Sequence, residues 1–360
     1  MRSYNFSPDA VILPQAVEEA IQQVVADYQG SGLSLWELGQ KSPRFCALKE
    51  ETEAVLRRVL GIPEEYEILF LPGGRSMQYA QLPLNLMRNS RADYLISGQQ
   101  AKLAQKEADR FGEARIVASG EENGFCCLPE VTRAMFDPSA DYVHIVMDNV
   151  CHGTTYINHL PDIGDVPIVA DFSNCLLYGP LDISRYGLIY ADMQGLFGAS
   201  GMTLMILRRD LVRKEPPSSL PTVLSYKRLL EGAVTHTSLS TSGVYLCKCI
   251  LELIEQEGGL AAIGRRNQEK SARLYDLLDS SRFYQVMADP SCRSGSSVVF
   301  RLPDERLTQL FLQQARGLHL IGLENSSGDG SLCACICNGI AEDGVVQLID
   351  FMGRFQRENR

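Results

Sequence analysis

The sequence predicts an α/β protein: a large domain built on a mostly parallel sheet, followed by a small α+β domain. Three observations carry that reading. Helical and strand patterns alternate through the N-terminal part of the chain, as crossover-connected parallel sheets require. From about Gly258 the pattern shifts to charged helices separated by short strands. At 360 residues, 45% of them hydrophobic and 22% charged, the chain is long and apolar enough for one large core and a smaller one.

After an N-terminal arm, apolar residues at three- and four-residue intervals predict helices over 13–28 and 48–60. Short apolar runs predict strands at 67–71, 93–97, 115–118, 142–147, 166–170, 188–191 and 202–207. Residues 1–257 are read as arm plus large domain, and 258–360 as the small domain. In the latter a helix at 265–278 leads to a strand at 298–302 and a helix at 305–315, then strands at 318–321 and 332–336 and a closing helix at 344–355. The cleft between the two domains is the natural ligand site.

Composition excludes several classes of partner. The net charge is −10, and Arg57-Arg58, Arg208-Arg209 and Arg265-Arg266 are isolated pairs rather than a basic stripe. Nucleic acid is therefore not an expected partner. No run of about 18 apolar residues occurs and the N-terminus lacks an apolar leader, so no membrane is expected and the chain is placed in the cytoplasm. The 11 cysteines, none in a C-x-x-C pair, fit reduced thiols there.

Several local runs carry chemistry. Phe70-Leu71-Pro72-Gly73-Gly74-Arg75-Ser76-Met77-Gln78 takes a strand into a helical stretch, where glycines let backbone N–H groups approach a phosphate. The same turn also reads as a tight connection with no ligand. Asp171 ends the apolar run Val166-Pro167-Ile168-Val169-Ala170. Between two strands stands Ala191-Asp192-Met193-Gln194-Gly195-Leu196-Phe197-Gly198. Gly30-Ser31-Gly32-Leu33-Ser34, Pro83-Leu84-Asn85-Leu86 and His152-Gly153-Thr154 complete the set.

In this order, from Tyr4 to about Phe355, these runs resemble the phosphoserine aminotransferase family. Its members are class-V aminotransferases of pyridoxal-phosphate fold type I, the aspartate aminotransferase-like fold. The resemblance implies a large mixed seven-stranded sheet domain and a small C-terminal α+β domain. It also implies a homodimer whose sites are completed across the interface. The family reads roughly G-L-I-Y-A-G-A-Q-K-N-I-G-P-A-G where this chain has Gly187-Leu188-Ile189-Tyr190 and its continuation, so the Schiff-base lysine falls on Gly195. Glycine has no amine with which to hold the cofactor covalently.

The other positions implied by the resemblance are mixed. Gly74, Arg75 and Ser76 match the cofactor-phosphate turn, Asp171 the partner of the pyridine nitrogen, and Gln194 the glutamine before the lysine. Gln100 stands for the tryptophan that stacks on the ring, Val150 for a threonine, and Thr237-Ser238 for the Asn-Thr pair that reaches the partner subunit's phosphate. Gln40-Lys41, Ser326-Ser327 and Cys333 replace substrate-binding His-Arg, His-Arg and Arg, leaving Lys41 as the one cation among them. Pro8-Asp9-Ala10 replaces a tight Ala-Gly-Pro turn.

The expectation is a phosphoserine aminotransferase-like chain inactive as a transaminase, a binding or regulatory pseudoenzyme paired with itself or with an active paralogue. Alternatives are an enzyme holding pyridoxal or pyridoxamine phosphate noncovalently, or a different reaction in the same cleft. Lys41 and Lys102 are the nearest substitute amines by motif position. Cys333, Cys335 and Cys337 alternate along a strand, and Cys151-His152 and Cys175 lie at strand ends. A thiol nucleophile or soft-metal site is one reading of them. Small buried hydrophobes is the favoured one, and no metal is expected.

Overall fold

The computed structural model describes residues 3–8, 12–212, 217–232, 239–336 and 339–359. The arm begins with β1 (Tyr4–Asn5), followed by α1 (Gln15–Ala26) and α2 (Pro43–Leu60). α2 starts a turn and a half before the sequence periodicity because Ser42 caps it, its side chain accepting from the Phe45 N–H at 3.2 Å, with Pro43 at the first helical position.

β2 (Tyr66–Pro72), α3 (Arg75–Leu86), β3 (Arg91–Ile96), α4 (Gln99–Ala108) and β4 (Glu113–Ser119) continue the alternation. α4 escaped the hydrophobic pattern because its buried residues are Ala101, Ala104 and Ala108, too small to stand out. Then come β5 (Val143–Val146), the short pair β6 (Asp148–Asn149) and β7 (Thr154–Thr155), β8 (Ile168–Asp171), β9 (Leu188–Asp192), α5 (Met193–Phe197) and β10 (Met202–Arg208). The main sheet has seven strands in the order β2-β10-β9-β8-β5-β3-β4. β10 runs antiparallel to both neighbours, so the sheet is mixed. The loops at the carboxyl ends of β8 and β9 face the cleft, where open α/β sheets bind ligands.

α6 (Tyr226–Leu230) and α7 (Thr241–Gln256) precede α8 (Gly259–Ser280), which starts at Gly258 with φ +97°. The C-terminal domain follows with β11 (Gln285–Val286), β12 (Ser297–Arg301), α9 (Glu305–Gly317), β13 (Leu320–Ile321), β14 (Leu332–Cys335) and α10 (Glu342–Glu358). β13 is shorter than its apolar run because Leu318 caps α9 and His319 takes φ +61°. Phe300, Phe311, Phe351 and Phe355 form the centre of this domain's core.

Two features tie the domains together at the cleft. β1 pairs in parallel with β13, so the arm is stitched to the C-terminal domain, with Phe6 wholly buried in its core. Asp148 in β6 is a buried carboxylate that accepts from the hydroxyls of Ser294, Ser296 and Ser297 at 2.6, 2.8 and 3.1 Å. Among the described residues no helix is long and apolar enough to cross a membrane.

Candidate functional site

The Gly-rich turn forms as the sequence suggests. Gly73 leaves β2 with φ +90°, a conformation open to glycine, and its N–H donates to the Gly201 carbonyl at 2.8 Å. Thr203 returns a hydroxyl bond to the Gly73 carbonyl at 2.8 Å. Gly74 then caps α3 and Ser76 lies exposed in its first turn.

The helix terminus already carries an anion of the chain's own. Asp192, at the end of β9, accepts the Arg75 N–H through Oδ2 at 3.0 Å and the Gln194 N–H through Oδ1 at 2.9 Å. One carboxylate thereby caps both α3 and α5. A Cβ on Gly74 would sit 2.5 Å from Asp192 Oδ2, so the carboxylate lies directly against the turn. Sequence reasoning missed this residue. The signal was available: the family run has glycine at the position of Asp192.

Asp171 ends β8, 2% exposed. Its Oδ1 accepts from the Ser173 N–H at 2.9 Å and from the Ser173 hydroxyl, which itself accepts the Asp192 N–H at 3.0 Å. Its Oδ2 is buried with no hydrogen-bond partner. Burial pushes the Asp171 carboxyl up from its ordinary value, opposed by Arg75 and the Ser173 donors. The Arg75 side chain turns into the cleft, and its Nη1 is likewise buried without a partner. Burial disfavours the Arg75 charge, but Asp171 foremost, then Tyr79, Tyr190 and Asp192, hold its pKa above the usual arginine value. The two groups are thus electrostatically coupled.

Around Arg75 the cleft narrows to a cavity of about 70 Å³, lined also by Gln100, Asn149, Val150, His152 and Ser326. Small-molecule sites are usually ~300–1,000 Å³. Gln100 accepts a hydrogen bond from the Tyr79 hydroxyl at 2.7 Å and so belongs to the wall. His152 packs on Phe125 with its Nε2 buried and unpartnered, and burial lowers its pKa. Cys151 contacts the Ser326 hydroxyl at 3.2 Å. Cys175, wholly enclosed, lines a different hollow, with Tyr178 and Arg265.

Gly195 lies within α5, and a Cβ there would meet the Pro8 carbonyl at 3.3 Å. The arm therefore packs where a side chain at position 195 would emerge. Gln194 is exposed on the same helix. On the C-terminal side, Ser327 donates to Asp329 at 2.7 Å, and Asp329 also takes bonds from Ser331 and Arg301. Its carboxyl is held far below the usual range despite partial burial, by the hydroxyls of Ser327 and Ser331 with the Ser331 N–H, and by Arg301. Cys333 is fully buried in a cluster with Val299 and Cys335, its sulfur 3.8 Å from that of Cys335, and Val150 packs on that cluster. Gln40 is occupied with the backbone of Leu239, and Lys41 is exposed. Thr237, Ser238, His236, Asp9, Ala10 and Cys337 lie outside the described residues.

The residues present do not fit pyridoxal phosphate. Position 195 supplies no amine, and a carboxylate already takes a donor at the α3 terminus. The Arg75 charge also acts on the carboxylate of Asp171.

Comparison with known proteins gives a consistent lineage. Residues 3–348 match the family model for class-V aminotransferases. Phosphoserine aminotransferase of Bacillus cereus is 38% identical over 360 residues, covering 100% of this chain and 99% of the relative. That of Hahella chejuensis is 37% identical, with 99% of each covered. Phosphoserine aminotransferase from Bacillus circulans subsp. alkalophilus superposes with a TM-score of 0.95 at 32% identity, covering 100% of this chain and 99% of that one. The pyridoxal-phosphate-bound enzyme of Trichomonas vaginalis does so at 0.88 and 26%, covering 98% and 100%. Likeness along the whole length, with the same mixed seven-stranded sheet, places this chain in the phosphoserine aminotransferase family, among the class-V aminotransferases of fold type I.

Proposed function

We propose that this chain is a member of its family that does not transaminate and acts by binding, as a dimer with itself or with an active paralogue. The observation that carries the reading is Gly195, which has no amine and where a Cβ would stand 3.3 Å from the Pro8 carbonyl. Without that amine there is neither covalent catalysis nor a positioned base for the proton shift, each worth orders of magnitude. The substrate side supports it too: Ser327 and the buried Cys333 cannot grip a dianion as arginine forks do, and Asp329 adds negative charge beside them.

A coupled assay with phosphoserine and 2-oxoglutarate tests the activity, with no turnover expected. Rates on the order of 1–10³ per second would remove the reading. The dimer is tested by light scattering. A stable monomer of 39.9 kDa at micromolar concentration is the opposing result, and it removes the paralogue-binding role as well.

One observation favours a second reading, a cofactor held noncovalently. Asp171 remains buried with an unpartnered oxygen. Visible absorbance of the purified protein, beyond that of aromatic side chains, is the result that would support it.

A further inference from the structure

We propose that the chain fills its own cofactor site from the phosphate end: the Asp192 carboxylate takes the place of the phosphate at the α3 terminus, with the Arg75 side chain directed into the same cleft. This rests on the reading of the chain as non-transaminating, and explains how a fold built around a cofactor stands without one. A helix N-terminus and a buried carboxylate are both costly to leave unanswered. Losing a bound phosphate exposes the first, and losing a cationic ring exposes the second.

The helix terminus is answered from within, while Asp171 lies in the field of the Arg75 cation. Asp192 reaches the α3 terminus from β9, 117 residues away in sequence, and accepts the Arg75 N–H at 3.0 Å. Its second oxygen caps α5 at 2.9 Å, which pins the carboxylate from both sides. Gly74 is bare at this contact, and any side chain there would collide with Asp192 Oδ2 at 2.5 Å. Arg75 follows immediately, so the residue whose N–H receives the carboxylate also sends its side chain into the cleft. Its Nη1 and Asp171 Oδ2 are both buried without hydrogen-bond partners. The Pro8 carbonyl, 3.3 Å from where a Cβ at position 195 would stand, crowds the lysine position as Asp192 occupies that of the phosphate.

The consequence is selective exclusion. A phosphate ester arriving at α3 meets a fixed like charge on the donor it needs, and a pyridinium arriving at Asp171 comes under the charge of Arg75.

The test titrates the full chain with deoxypyridoxine phosphate, the cofactor without its aldehyde, so that imines with surface lysines cannot form. Its unphosphorylated counterpart serves as control. The wild-type protein is expected not to saturate with either. Asp192→Asn keeps a capping oxygen but removes the charge, and is expected to raise affinity for the phosphate ester about tenfold or more, leaving the control unchanged. Arg75→Ala is expected to raise affinity for both probes. Saturation of the wild type at micromolar probe overturns the proposal, and this needs no variant to fold. Variants that melt like the wild type yet bind no better also overturn it. Tight wild-type binding without transamination removes only the self-filled site, whereas turnover of phosphoserine removes the proposed function with it.

Discussion

The two walls of the cleft have been rebuilt by different routes. On the large-domain wall the backbone machinery persists: the left-handed Gly73, the bare Gly74, the α3 terminus and the buried Asp171 are all in place. Asp192 accepts at the α3 terminus, and the Arg75 side chain lines the cleft. On the C-terminal wall the positions where the resemblance implies substrate-binding cations hold Ser327 and Cys333. Cys333 has joined an apolar cluster, and Ser327 and Ser331 are donors to Asp329. Backbone donors at a helix end cannot be deleted without deleting the helix, so they are satisfied internally. An exposed or half-buried arginine carries no such obligation and can be replaced by whatever packs.

This contrast is testable from its strongest claim downward. Returning arginine to the C-terminal wall with Cys333→Arg forces a long cation into a site with no exposure, packed against Val299 and Cys335. A loss of about 3–5 kcal/mol is expected in urea unfolding. A variant as stable as the wild type would mean that this wall still has room for a substrate cation.

The large-domain core offers a pH test. Burial lowers the His144 pKa to about 3, and its ring stacks on Tyr94 with Nε2 2.9 Å from the Tyr190 hydroxyl. The unfolded chain takes up a proton near pH 6.5, which the native state refuses until far lower pH, so native stability falls as pH drops below about 6.5. The expected loss from this group between pH 7 and pH 5 is about 2 kcal/mol, and it should vanish from the pH slope of His144→Gln. An unchanged slope in that variant would assign the acid sensitivity elsewhere.

Gly195→Lys probes the boundary between the walls. It restores an amine but meets the Pro8 carbonyl and leaves Asp192, Arg75 and Cys333 as they are. No transaminase turnover is expected in the coupled assay. Robust rates would show that the rest of the site is competent. The smallest effect belongs to Ser327→Arg on the half-buried, acidic loop, expected within about 0.5 kcal/mol of wild type by thermal unfolding. Beside Cys333→Arg, it separates a position that merely lost its cation from one that became core.

Much of this protein is determined by local sequence. Short continuous apolar runs mark strands such as Met202–Arg208 with nearly correct limits, because a strand in the middle of the sheet is buried on both faces. Consecutive residues also place Gly195 in the run where the resemblance implies a lysine, and the Cys333–Cys335 spacing already puts both thiols on one side of a strand. Other features are decided only when distant segments meet. That β10 runs antiparallel depends on the tight turn after α5, and that the arm belongs to the C-terminal domain depends on Tyr4 finding Leu320. Asp192 reads in sequence as an ordinary turn residue beside a missing lysine. Its role as the anion at α3 exists because the sheet sets β9 two strands from β2, bringing a carboxylate to a helix terminus more than a hundred residues away. Periodicity records which face of an element is buried; it cannot record which neighbour answers a particular N–H, and that choice fixes what this cleft will bind.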